Sequence, residues 1–320
     1  MRQDLHVRPR DPAPREIASF QDFHRMDDRR ALATIAFDYA VVFAIAGMAS
    51  WIHRLPVTLL ALVLIAGRQS ALQGLLHSAC HFSLFSARQR NENLEFLFAY
   101  PILESVQFYR GQHLEHHRDF RLKTPDRFDY LLDTLQLSRR GKWDRTWVVF
   151  IRPLIGHAGC LFLADVMRSF RENLKHAFKL VVYWAVLFSA AWLCGWLWPF
   201  FVYWVVPLVW LYPVLDIWAE LSDHLDASDE SRNQEGLFYS VLLKGHETYH
   251  AVHHMYPFVP YYRLCDLHER LRERGVVMEN SRGPLDFLQI VYRSSRNRVP
   301  LPAFGLIPAS NLSSRIEGGA

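Results

Sequence analysis

The sequence predicts an all-α membrane protein, with four transmembrane helices in two hairpins and a helical cap on the cytosolic side. Three observations carry this. The chain of 320 residues is 51% hydrophobic and nearly balanced in charge, 36 Lys and Arg against 32 Asp and Glu. Its mean hydropathy of −0.02 conceals segregation: Leu180 to Leu215 contains no charged residue, whereas Met1 to Arg30 and Arg110 to Lys179 are dense in charge. Third, half of the 16 histidines fall into three clusters at helical spacing. Wholesale disorder and a fully soluble fold are both excluded by the long apolar runs.

The elements follow in order. The polar first 30 residues hold Arg2, Arg8, Arg10, Arg15, Arg25, Arg29 and Arg30, so no cleavable signal peptide is expected and this end stays in the cytosol. Ala31 to Ile52 and Leu55 to about Leu76 form two spans joined only by His53 and Arg54. Asp38 and Arg68 interrupt them in their cytosolic halves, where snorkelling or mutual pairing lowers the cost. Leu94 to Phe108 carries Glu95, Pro101 and Glu104, and Val148 to Met167 carries Arg152, Pro153 and Asp165. A charge at a helix centre costs about 2.5–3.5 kcal/mol on insertion, so both segments are read as helices at the interface or on the cap. The uncharged run broken by Pro199 is too long for one crossing of about 20 residues and suits a second hairpin.

The resulting single domain divides into a first hairpin (31–76), a cytosolic and interfacial region (77–179), a second hairpin (180–220), a second cytosolic region (221–298) and an extended tail (299–320). Cations concentrate in the central region, while the outer turns offer only Arg54, so both termini and the centre are expected in the cytosol. The net charge of +4 fits contact with anionic lipid rather than nucleic acid. Cys80, Cys160, Cys194 and Cys265 form no CxxC pair, which argues against a disulfide framework or zinc ribbon.

The chemistry lies in the histidines. His77 and His81 form HxxxH at the cytosolic mouth of the second span; His113, His116 and His117 form HxxHH, and His250, His253 and His254 form a second HxxHH. Residues at i, i+3 and i+4 share one helix face and can aim their imidazoles at one point. Eight such ligands exceed the needs of one ion, so two metals are the natural count, and the excess of histidine over cysteine argues against a structural zinc. His224 follows the fourth span and shares a face with Glu220, a candidate to ligate, act through water or accept an imidazole N–H. His246, four before His250, extends that stripe as a ligand or its outer partner, and Glu115, Asp223 and Glu247 are further candidate acceptors.

Other classes of protein fit the pattern less well. His246, Glu247 and His250 match HExxH, but a zinc protease would leave the other clusters unexplained. A metal-binding or metal-transport protein would need ionisable residues lining a path through the spans, and the uncharged run lacks them. GxGxxG, GxxxxGK[ST] and GxSxG are absent, which leaves no signature of dinucleotide, phosphate-loop or hydrolase chemistry.

HxxxH, HxxHH and HxxHH in this order, with hydrophobic hairpins around them, resemble the membrane fatty acid desaturase and hydroxylase superfamily. The likeness runs from about Leu55 to Gly275 and includes "TPDRFDY" after the second box and "HHMYPFVPYYRLCDLHERLRERG" after the third, similar to the bacterial acyl desaturase branch. The resemblance implies a non-haem di-iron centre in the cap that uses dioxygen to attack an unactivated C–H bond. Its ligands would be the eight box histidines, with His224 matching the extra histidine of some members. Desaturation of a fatty acyl chain is the leading reading; hydroxylation, ketolation or oxidative decarboxylation, on a fatty acid, another lipid or an amino-acid-derived substrate, uses the same boxes. No cytochrome segment is fused to the boxes, so the resemblance implies an external donor of ferredoxin, rubredoxin or cytochrome type with a reductase, in a bacterial inner membrane.

Overall fold

The computed structural model describes residues 21–122, 137, 140–227 and 231–293, the side chains of residues 21 and 118–122 excepted. The arginines before residue 21, the segment 124–130 and the tail 299–320 lie outside the described residues. Among the described residues five helices, rather than the expected four, are long and apolar enough to cross a membrane.

The first two, α1 (Asp28–Ile52) and α2 (Leu55–Cys80), form the expected hairpin. Asp27 caps α1 by accepting from the Arg29 and Arg30 amides at 2.9 and 3.3 Å. His53 ends it in a left-handed conformation, φ 48°, and Pro56 opens α2 in its first turn, where its missing N–H costs nothing. The two charges inside these spans pair: Arg68 Nη1 lies 3.1 Å from Asp38 Oδ1 while Nη2 donates to the carbonyls of Ser240 and Val241.

Between α2 and the next helix, α3 (Val106–Leu122), the expectation of a helix over 94–108 fails. This stretch folds instead as two 3₁₀ turns, Glu95–Leu97 and Tyr100–Ile102, before α3 begins. Glu95 is the reason: its carboxylate accepts from Tyr100 Oη at 2.6 Å and from the Val106 amide at 3.0 Å, which closes the loop on itself. Phe98, Ala99 and Ile102 thereby enter the main core, and the indoles of Trp184 and Trp204 donate to the Tyr100 and Pro101 carbonyls.

The fifth candidate span is α4 (Lys142–Glu172), which covers the segment expected at the interface. Its helix breaks at Ile155 and Gly156, where Gly156 takes φ 107°. The second hairpin is α5 (Leu174–Leu193) and α6 (Leu197–His224). It turns at Gly195, φ 71°, not at Pro199, which sits in the first turn of α6, where proline is tolerated.

Burial sorts these helices. Within their apolar windows, 56% of α2 and 50% of α6 are buried inside the protein, against 22% of α1 and 11% of α5. The outer helices present Phe37, Phe43, Trp51, Phe178 and Trp192 outward, the pattern of lipid-facing surfaces. The inner pair meets the segment that follows. A π-turn at Tyr239–Leu243 lies directly on α2: a Cβ on Gly67 would meet the Val241 carbonyl oxygen at 2.2 Å, and one on Gly245 would meet Ala71 Cα at 2.4 Å. Small residues admit this close backbone approach.

Beyond α6 lie α7 (His250–Met255), α8 (Leu264–Glu273) and α9 (Pro284–Arg293). A two-residue parallel ladder pairs β1 (Asn233–Gln234) with β2 (Asn280–Ser281). Arg232, 1% exposed, donates to the Ser222 and Leu225 carbonyls and to Glu279, satisfying the end of α6.

Candidate metal centre

Four elements converge at the cytosol-facing end expected for α2 and α6. The HxxxH pair ends α2, with His81 just beyond its last helical residue; α3 carries the second box, α6 ends at His224, and α7 carries the third box. Arg110 on α3 locks two of them together by donating from Nε to the Cys80 carbonyl at 2.8 Å. Six-residue α7 is too short to hold itself, and Asn233 caps it from a distance, accepting from the Ala251 and Val252 amides at 3.0 and 3.3 Å.

The nine histidines divide into two buried sets. His77, His81, His113, His117 and His253 form one; His116, His224, His250 and His254 form the other, and in each set the ligand atoms lie within 4.8 Å of one another. Each HxxHH box is thus split, its i and i+3 residues diverging: His113 and His117 serve one set while His116 serves the other, and His253 parts from His250 and His254. In the first set His113 Nε2 lies 2.6 Å from His77 Nε2 and 2.9 Å from His117 Nε2. In the second, His250 Nε2 lies 3.2 Å from His224 Nε2 and 3.1 Å from His254 Nε2.

These nitrogens fit metal ligation. Two nitrogens at right angles on a metal, each about 2.1 Å from it, stand about 3 Å apart, and the pairs above cluster around that edge length. The buried Nε2 atoms of His81 and His253 find no hydrogen-bond partner among the described residues, which a cation at the first set would supply. Burial holds His113, His250 and His253 well below the ordinary histidine range and brings His81 to about 3, so the rings are neutral and keep a lone pair for metal. All-imidazole sets suit iron, copper, nickel or zinc.

Glu247 is the outer partner of the first set: its Oε2 takes a short hydrogen bond from His77 Nδ1, and its Oε1 lies 3.9 Å from His253 Nδ1. Asp223 supports the second, 3.8 Å from His250 Nε2 and bound to both Lys244 Nζ and Gln234 Nε2. Glu115 is exposed on α3. His246 joins neither set: its Nε2 lies 2.8 Å from Asp38 Oδ2, so it completes the Asp38–Arg68 pair. The backbone from His246 to Tyr249 is not helical, so the HExxH spacing does not place its two histidines on one helix face. Glu220 lines a cavity of about 40 Å³ whose wall includes His77 and His113 of the first set and His116 and His250 of the second. Sequence reasoning missed Asp216, Gln73, Tyr109 and Lys244 on the same wall; only Asp216, one helical turn before Glu220, carried a periodic signal.

Two buried polyhistidine sets at the ends of apolar helices fit a membrane protein in which each set could hold a metal ion. A profile for the fatty acid desaturase family matches residues 49–283, and the chain belongs to that family; it is an oxidoreductase. Among curated relatives, dihydrorhizobitoxine desaturase of Bradyrhizobium elkanii is 26% identical over 283 residues, spanning 78% of this chain and 77% of that one.

Proposed function

We propose that this protein is a di-iron, dioxygen-dependent desaturase of an aliphatic substrate. The observation that carries the reading is the partition of nine buried histidines into sets of five and four. Desaturation balances as one saturated carbon–carbon bond, one dioxygen, two electrons and two protons giving one double bond and two waters. Iron bound in the two sets supplies the oxygen activation. The protein's own part is to hold neutral imidazoles with their nitrogens convergent, to fix His77 through Glu247, and to bury the site so that water does not quench the reaction. The family description names fatty acids, and the relative is named for dihydrorhizobitoxine; dehydrogenation is the reaction common to both names.

Four crossings by α1, α2, α5 and α6 complete the reading, in a bacterial inner membrane with both termini and the histidines in the cytosol. Support comes from α4, whose break at Ile155 and Gly156 leaves two arms each shorter than the about 20 residues a crossing needs. It also comes from the boxes, since an in–out–in–out–in path puts the ends of α2 and α6 on one side. Electrons then come from a soluble ferredoxin, rubredoxin or cytochrome-type carrier with its reductase. The test is metal analysis with single-turnover chemistry: iron-loaded protein carries two iron ions per chain, is inactive with NADPH alone, and forms the double bond once reductase and ferredoxin are added. A protein active with zinc only, or without oxygen, overturns the proposal.

A further inference from the structure

The two histidine sets are assembled differently. The five-histidine set takes four of its rings from α2, with the residue that follows it, and from α3, which Arg110 ties to each other. The four-histidine set takes His224 from the end of α6 and both His250 and His254 from α7, with His116 of α3 as the fourth. His224 and His250 are 26 positions apart in the chain, yet their Nε2 atoms stand 3.2 Å apart. This set therefore depends on how the end of α6 is placed against α7, a helix of six residues with little stability of its own.

Three consecutive residues, each no more than 1% exposed, bridge that gap. Arg232 grips the end of α6: its amide donates to the Asp223 carbonyl at 3.0 Å, Nη1 to the Ser222 carbonyl at 3.0 Å and Nη2 to the Leu225 carbonyl at 2.8 Å, so the contacts bracket His224. Asn233 Oδ1 accepts from the Ala251 and Val252 amides of α7. Gln234 reaches both ways, from Nε2 to Asp223 Oδ1 on α6 and from its backbone amide to the Thr248 carbonyl, 2.6 Å away and two residues before His250. β2 backs the strand: the Asn233 and Glu235 amides donate to the Glu279 and Ser281 carbonyls at 2.9 and 2.7 Å, and Glu279 accepts from Arg232 Nε at 2.8 Å. A guanidinium and two amides buried together are costly unless hydrogen-bonded, and a network bonded in this way holds one arrangement of the elements it joins.

We propose that the strand Arg232–Gln234 is the positioning element of the four-histidine set, setting the end of α6 against α7 and, through Asp223, fixing His224 and His250 for one of the two metal ions. The inference rests on the di-iron reading above and adds a division of labour to it: Glu247 serves the five-histidine set and this strand serves the other. Arg232 and Asn233 also close helix ends, so their loss would disturb the fold at large. Gln234 gives the cleaner test, because its side chain bonds to Asp223 and to no helix-end backbone group.

Anaerobic titration of the full chain in detergent with iron(II), followed by metal analysis, tests it. Gln234→Met should bind one ion as the wild type does and the other about tenfold more weakly. Adding Glu247→Gln should weaken both ions, because the two substitutions act on different sets. Gln234→Glu sets a second carboxylate against Asp223 and should also weaken one ion, whereas exchanging the groups, Asp223→Asn with Gln234→Glu, rebuilds the hydrogen bond and should recover affinity that Gln234→Glu alone loses. Asn173→Ala is the structural control: Asn173 caps α5 by accepting from the His176 amide at 3.0 Å, so its loss should lower the melting temperature and leave both ions bound. Wild-type affinity for both ions in Gln234→Met, one full-affinity ion left in the Gln234→Met/Glu247→Gln protein, no recovery on exchange, or an ion lost from Asn173→Ala overturns the inference. If the wild type binds two iron ions and desaturates while Gln234→Met does the same, the positioning role fails and the desaturase stands. A wild type that takes up no iron and oxidises nothing with oxygen removes the desaturase reading and the inference with it.

Discussion

Glu247 touches the Nδ1 side of two histidines, His77 directly and His253 at 3.9 Å, and both rings present Nε2 to the same five-histidine set. Its carboxylate therefore selects the tautomer that leaves Nε2 free and aims two rings from two elements at one point. Glu247→Gln keeps the size but can accept only one N–H, so iron affinity of the five-histidine set should fall by about 10- to 100-fold. Titration with iron, followed by metal analysis, should then saturate near one ion per chain before the second; two equal high-affinity sites in the variant would contradict this role. Removing one of the five histidines, as in His253→Ala, should abolish metal binding by that set and not merely weaken it, which separates the two roles of neighbouring residues.

The segment from the π-turn to α7 is held against α2 by close backbone approach as well as by the packing of Tyr239 and Leu243 into the shared core. Gly245 is doubly constrained within it, combining φ +57° with a Cβ position 2.5 Å from Ala71 Cβ. Gly245→Ala should cost about 1–2 kcal/mol for the left-handed backbone and a further 1–3 kcal/mol for overpacking. The displaced residues include Glu247 and His250, so iron content should drop together with thermal stability. Gly47→Ala is the control, because nothing lies within 4 Å of its Cβ position in α1 and alanine is the better helix former. A Gly245→Ala protein as stable and as iron-rich as Gly47→Ala would show that the close approach does not hold the third box in place.

At the scale of the molecule, burying so many neutral imidazoles ties stability to pH. His81 falls from an ordinary value of 6.5 to about 3, with burial the first cause and Arg110 the second. Between these values the unfolded chain binds the proton and the folded chain does not, so stability is full above about 6.5 and is lost as pH falls. At pH 5 this one group costs on the order of 2 kcal/mol. The iron-free protein should melt at a clearly lower temperature at pH 5 than at pH 7.5, whereas bound iron should raise the midpoint at pH 7.5 by mass action. Equal iron-free midpoints at the two pH values would contradict neutral buried rings.

The sequence by itself determined the helical membrane class, the α1–α2 hairpin and the histidines of the two sets, because hydropathy over about 20 residues and spacing at i, i+3 and i+4 are local quantities. For Asp38 and Arg68 the sequence left snorkelling and mutual pairing both open, and the structure shows the pair. Only the tertiary structure decided how each HxxHH box divides between the two sets, as ring direction depends on which helix faces it. The same holds for His246, whose place in the helical stripe was overridden by a buried carboxylate 208 residues away in α1. The 94–108 segment and the Asn233 cap of α7 were equally illegible, because each is settled by hydrogen bonds that close only once the chain has folded back on itself. The polar cavity joins α2, α3, α6 and the π-turn segment, and no window of sequence holds all four.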